Sequence, residues 1–155
     1  MFRGRYEHAI DAKGRTSLPS RFRDELLAKG DSRISMTVSL DDQGRFIKVY
    51  PSDEWRKFEA KLLEFSPFDP QAAIARRIGF GDCNECDFDK LGRVLIPGTL
   101  REHARITRDV VWVGVGHAME LWDKLEYEQF RMRVFGDIEQ LRTISQHLLA
   151  AEGKS

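Results

Sequence analysis

Apolar and polar positions along the chain change period several times, and each change marks an element. Short apolar runs at Arg15–Leu18 and Arg93–Ile96 read as strands. Each follows a shorter strand ending at Ile10 or Phe88, across a tight turn in which Gly14 or Gly92 supplies a permissive backbone. Pro19 and Pro97 come next and open helices where a missing N–H costs little. The first of these helices carries Phe22, Leu26 and Leu27 and stops at Gly30. Arg33–Leu40 and Arg45–Tyr50 predict a hairpin around Asp41-Asp42-Gln43-Gly44. Asp109–Gly116 and Ala118–Trp122 predict another, with Gly114 and Gly116 near its turn.

Helical periodicity occupies the remaining stretches. Ser52 is a suitable N-cap for a helix with Trp55, Phe58, Leu62 and Phe65 on one stripe. Asp69-Pro70 starts a second helix running towards Arg77. Asp123 starts a long pattern with Tyr127, Phe130, Val134, Ile138, Leu141, Ile144 and Leu148, in which Gly136 is a point of bending or breaking. That stripe either seals the core or meets a neighbouring subunit.

Two of these segments are copies of each other. Asp11-Ala-Lys-Gly-Arg15-Thr-Ser-Leu-Pro19-Ser-Arg-Phe-Arg23 aligns without gaps to Asp89-Lys-Leu-Gly-Arg93-Val-Leu-Ile-Pro97-Gly-Thr-Leu-Arg101. Glu7 matches Glu85 upstream, and Phe46–Tyr50 with Glu54-Trp55 resembles Ala118–Trp122 with Glu126-Tyr127. Two units indicate a duplicated small domain, because solenoids need three or more. The organisation expected is a first copy over 5–52, a helical linker over 53–80, a second copy over 81–124 and a helical extension over 125–155. The fold class is α+β, a mainly β core with flanking helices.

The turns are either plain hairpins with an Asp–Arg surface pair or carriers of candidate chemistry. An Asp opening such a turn accepts backbone N–H bonds two or three residues on and stiffens the loop. The arginine after the glycine then projects from a rigid strand start. A guanidinium can donate two hydrogen bonds to guanine O6 and N7.

Charge fits either a one-sided polyanion binder or an ordinary solvated surface. The whole chain, 155 residues, has a formal net charge of zero. Residues 1–23 nevertheless hold six basic side chains, Arg3, Arg5, Lys13, Arg15, Arg21 and Arg23, against Glu7 and Asp11. Residues 120–155 carry seven acidic groups against five basic ones. A basic face with a compensating acidic region fits docking on DNA through one side. Lys13, Arg3 and Arg5 suit phosphate contacts that set register. In the second copy Leu91 replaces Lys13, although Lys90 adds a charge beside it, so the first copy is expected to dominate.

Other chemistries find no constellation. Cys83 and Cys86 form one C-x-x-C pair without a second pair at zinc-finger spacing, so no metal and no cofactor is expected. His8, His103, His117 and His147 show no ligand spacing, and no nucleophile elbow, Walker loop or dinucleotide fingerprint occurs. An enzyme is not indicated. No apolar stretch approaches the roughly 18 residues of a membrane span, and the polar N-terminus lacks a signal-peptide core, so a cytoplasmic location is expected.

The D-x-x-G-R turn followed by a strand and a proline-started helix, present twice, resembles the SpoVT/AbrB regulators. Met1-Phe2-Arg3-Gly4-Arg5-Tyr6-Glu7-His8 before Asp11-Ala-Lys-Gly-Arg15, with Asp89-Lys-Leu-Gly-Arg93-Val-Leu-Ile-Pro97 later, resembles the MraZ family specifically, and the likeness runs from Met1 to about Leu148. The resemblance implies AbrB-like halves interlocked as swapped hairpins into an intrachain double-split β-barrel. It implies a ring homo-oligomer, an octamer or dodecamer, that binds double-stranded DNA at direct repeats in a promoter region. It further implies repression of a division and cell-wall gene cluster and association with the nucleoid. The DNA-facing residues it implies are Asp11, Arg15, Asp89 and Arg93. An antitoxin with a toxin-binding tail is the first alternative, disfavoured by two copies and an ordered-looking helical end. A protein-binding ring without DNA is the second.

Overall fold

The computed structural model describes residues 1–153; Lys154 and Ser155, the end of the expected 125–155 extension, lie outside the described residues. The chain is mixed α/β, with mostly antiparallel strands and six helices among the described residues. The first half contains β1 (Arg5–Ala9), β2 (Arg15–Ser17), α1 (Ser20–Ala28), β3 (Arg33–Val38), β4 (Ile47–Pro51), α2 (Ser52–Glu64) and α3 (Pro70–Gly81). The second half repeats that order as β5 (Asn84–Asp87), β6 (Arg93–Leu95), α4 (Gly98–His103), β7 (Asp109–Gly114), β8 (Met119–Asp123), α5 (Lys124–Phe135) and α6 (Ile138–Glu152).

The halves are interleaved. One sheet runs β1-β7-β8-β4-β3-β5, and β2 pairs with β6 in a separate ribbon. Each half therefore lends its first strand to the other half's hairpin: β1 joins β7, and β5 joins β3. Registers match between the halves. In the centre of the large sheet Lys48 faces Glu120, and in the ribbon Thr16 faces Val94. These two self-paired positions mark an approximate two-fold axis relating the copies. Lys48 Nζ lies 3.4 Å from Glu120 Oε2, and Glu120 also accepts from Trp122 Nε1 at 3.0 Å, so the central pair is held on both sides.

One apolar cluster fills the space between sheet and ribbon. Leu18, Phe22 and Leu26 from the first half meet Val94, Ile96 and Leu100 from the second, with Ile34, Ile47, Trp112 and Leu121 beneath. Phe2 and Tyr6 approach the Phe22 ring edge-on at 5.5 and 5.3 Å. Burying each such aliphatic or aromatic side chain stabilises by about 1.5–3 kcal/mol, so neither half holds a core without the other.

Several local expectations are corrected. Ser52 is not the N-cap of α2; Pro51 occupies that position without a side-chain cap bond. Instead the Asp31 carboxylate reaches over, accepting from Ser52 N at 2.8 Å and Ser52 Oγ at 2.9 Å. Pro19 and Pro97 sit at the N-cap positions of α1 and α4, and their carbonyls accept from Arg23 N and Arg101 N. Phe65 leaves the stripe of α2, because the helix ends before it, and it is exposed. Gly136 breaks the long C-terminal pattern: it caps α5, and Asp137 then caps α6 through Gln140 N. The two parts have different fates. Tyr127 and Phe130 of α5 pack on Trp122, whereas Ile138, Ile144, Leu148 and Leu149 of α6 are exposed.

Candidate nucleic-acid interface

The two D-x-x-G-R turns are superimposable in their hydrogen bonding. Asp11 Oδ1 accepts from Lys13 N and Arg15 N, each at 2.9 Å, and Asp11 Oδ2 accepts from Arg15 Nε at 2.9 Å. Asp89 Oδ1 likewise accepts from Leu91 N and Arg93 N at 2.9 Å, and Oδ2 from Arg93 Nε at 3.0 Å. The second backbone partner lies four residues on, one further than expected, because the turn closes through Asp11 N to Arg15 O and Asp89 N to Arg93 O. Both carboxyls are held below the usual carboxylate range, first by the backbone N–H of Arg15 or Arg93.

This clamp aims the arginines. It consumes Nε and leaves both terminal guanidinium nitrogens of Arg15 and Arg93 without a protein partner among the described residues. Those two nitrogens are the edge that forms a bidentate contact with guanine. Strand alternation sets the direction: Thr16 and Val94 are buried, so Arg15, Ser17, Arg93 and Leu95 share the outer face of the ribbon. Arg15 faces Leu95 and Ser17 faces Arg93, so the arginines are diagonal neighbours, about 7–8 Å apart at the backbone. Both line one open concavity of about 550 Å³.

Each turn is braced by the opposite copy. Gly14 O accepts from Ile96 N at 2.8 Å, and Gly92 O accepts from Leu18 N at 2.7 Å. The Arg101 guanidinium lies against Gly14, with its Nε donating to Ile96 O at 3.0 Å, and Arg23 lies against Gly92 in the equivalent place. Gly14 and Gly92 adopt φ of +88° and +77°, the left-handed region that favours glycine. Arg23 and Arg101 were visible as repeated residues, but nothing in the sequence said that each supports the other copy's turn.

Of the remaining expected contacts, the lysines lie with the turns and Arg3 and Arg5 do not. Lys13 and Lys90 sit within the turns and are exposed. Arg5 opens β1 at the opposite end from the turn, roughly 14 Å of strand away from Ala9, and Arg3 precedes it. Arg5 stacks over the Tyr127 ring at 5.9 Å, and Arg3 lies beside α1 near Arg21, Asp24 and Glu25. Arg108, outside the repeated segment, does enter the concavity. Cys83 and Cys86 are free thiols, and burial, then Glu85 and Glu59, pushes the Cys83 thiol up to about 11. No cluster of three metal-ligating side chains and no helix long and apolar enough to cross a membrane occurs among the described residues.

Two interleaved copies presenting paired, carboxylate-clamped arginines on one exposed ribbon define a duplicated small α/β protein. Comparison with known proteins agrees with the duplication. The family model described as "MraZ protein, putative antitoxin-like" matches residues 1–78 and 80–140. A protein of Thermoanaerobacter pseudethanolicus named "Transcriptional regulator MraZ" is 40% identical over 148 residues, 96% of each chain. Proteins of the same name from Pediococcus pentosaceus and Anaeromyxobacter sp. are each 41% identical, over 83% of this chain and 85% and 87% of their own. The chain belongs to the MraZ family.

Proposed function

We propose that this chain is a sequence-specific double-stranded DNA-binding transcriptional regulator, a repressor of a division and cell-wall gene cluster that acts on direct repeats upstream of its own operon. The observation carrying this reading is the pair of clamped turns on one exposed face, each with two guanidinium nitrogens free. Arg15 and Arg93 read base edges, Asp11 and Asp89 fix their aim, and Lys13 and Lys90 neutralise phosphates. Arg3 and Arg5 contribute at most a distant charge. The strand exchange between halves is read as a double-split barrel, and the protein works in the cytoplasm at the nucleoid. The names of the relatives support a transcription regulator rather than an enzyme.

Assembly into a ring completes the reading. The approximate two-fold places the helix pair α2–α3 and the pair α5–α6 in equivalent positions, and both expose apolar side chains, Phe68 and Ile74 on one, Phe135 and Leu148 on the other. A contact between two different patches repeats head to tail, and it closes into a ring when its rotation divides a full turn. Linked protomers engage repeats spaced by about one helical turn, roughly 10 bp, and gain affinity by multivalency. The test is an electrophoretic shift on the gene's own upstream region, with and without an insertion of about 5 bp between repeats. Binding that survives the insertion unchanged, or a monomer by light scattering, defeats the ring mechanism. No shift at all defeats the DNA reading.

A further inference from the structure

The concavity holding Arg15 and Arg93 has a third arginine, and it comes from outside both turns. Arg108 lies in the connection between α4 and β7, and that connection is fixed at every step. Arg105 takes a φ of +55°, and Ile106 N donates to Arg101 O at 3.0 Å. Thr107 N and Oγ1 donate to Asp123 Oδ1 at 3.3 and 3.4 Å. The Arg108 carbonyl accepts from Ile10 N at 2.7 Å, one residue before Asp11 opens the first turn. The side chain is exposed, and it has no hydrogen-bond or ion-pair partner among the described residues.

The other half has no such group. Ser32 fills the same backbone role there, its carbonyl accepting from Phe88 N at 3.4 Å. The neighbouring Arg33 is neutralised by Glu85 at 3.3 Å and Asp87 at 3.1 Å. Among the described residues, unpaired positive charge beside the first turn thus comes from Lys13 and Arg108, and beside the second from Lys90 without a counterpart of Arg108. No carboxylate clamps Arg108, in contrast to Arg15 and Arg93. An unaimed cation at the rim of a groove neutralises a phosphate but does not select a base.

We propose that Arg108, supplied by the second copy, grips the DNA phosphate backbone next to the first copy's turn, so that the dominant half-site is built by both copies. This rests on the DNA-binding reading above. The test titrates the full-length wild type, Arg108→Ala and Arg108→Lys with two fluorescent duplexes, the native upstream repeats and a scrambled sequence, between about 50 and 200 mM salt. Arg108→Ala is expected to weaken both duplexes by the same factor and to lower the slope of log affinity against log salt by about 0.9, while Arg108→Lys keeps the slope. An unchanged slope and affinity in Arg108→Ala overturns the proposal, as does a loss confined to the native duplex, which would mark a base contact. Failure of the wild type to bind either duplex overturns the underlying DNA reading, and this proposal with it.

Discussion

Substituting alanine at the two turn glycines separates backbone strain from cross-copy packing. In Gly14→Ala the new residue keeps a φ of +88°, which costs an L-residue about 1–2 kcal/mol. Its Cβ would sit 2.9 Å from the Ile96 carbonyl oxygen and 3.0 Å from the Arg101 guanidinium carbon. Arg101 can swing away; the Ile96 carbonyl cannot, because Ile96 N is itself bonded to Gly14 O at 2.8 Å. Relieving the contact therefore strains or breaks that cross-copy bond, worth about 0.5–1.5 kcal/mol. The total expected is about 1.5–3.5 kcal/mol. Gly92→Ala has a similar backbone cost at +77°, but its Cβ meets only the Arg23 side chain, which is free to move, so about 1–2 kcal/mol is expected. Urea unfolding followed by circular dichroism at fixed protein concentration gives both values. Gly14→Ala as stable as wild type, or Gly92→Ala the costlier of the two, refutes the argument that the Ile96 backbone decides the difference.

Arg15→Ala is expected to remove specific binding to the native repeats, a loss of about 1–3 kcal/mol per lost base contact by gel shift, with folding intact; Arg93→Ala has a smaller effect. Thermal stability is expected to fall as pH drops from 7.5 to 5.5. Burial holds the His8 and His103 pKa values below 6.5, so the unfolded chain binds protons first; their stabilisation is present above 6.5 and lost as pH falls, and replacing both with Gln flattens the profile in calorimetry. Cys83→Ser with Cys86→Ser is expected to fold and bind DNA as wild type does, with less than stoichiometric zinc in the parent by elemental analysis. A full equivalent of zinc lost in the variant contradicts this.

The sequence was most informative where structure is local. The turn, strand and proline-started helix of each copy follow from Asp11-x-x-Gly14-Arg15 and its repeat, because an Asp, a glycine and a proline at those offsets leave the backbone few choices. It was least informative where a distant residue takes over a local role. Asp31 displaces Ser52 as the cap of α2 because the α1–β3 loop happens to lie over the helix start. The pairing of β1 with β7 rather than with its own hairpin leaves no mark on alternation, since Tyr6, His8 and Ile10 would face inward in either arrangement. Arg108 carries no mark in the sequence for the same reason, as its position beside the first turn arises only from the strand exchange.

That exchange also bears on how a duplicated protein could read a directional sequence. Two identical copies about a two-fold present the same groups in opposite directions, which suits a palindrome. Direct repeats instead require each protomer to have a head and a tail. Fusing the copies in one chain lets their sequences diverge while the core stays shared. The divergence lies at the face that carries the turns: Lys13 against Leu91, with Lys90 beside it, and Arg108 against Ser32, next to the Arg33–Glu85–Asp87 cluster. The aiming hardware, Asp11 with Arg15 and Asp89 with Arg93, is kept alike in both. On the DNA reading, the matching clamps would supply base recognition, and the unequal rims would supply polarity. A face with this asymmetry can be repeated around a ring with every protomer pointing the same way along the duplex.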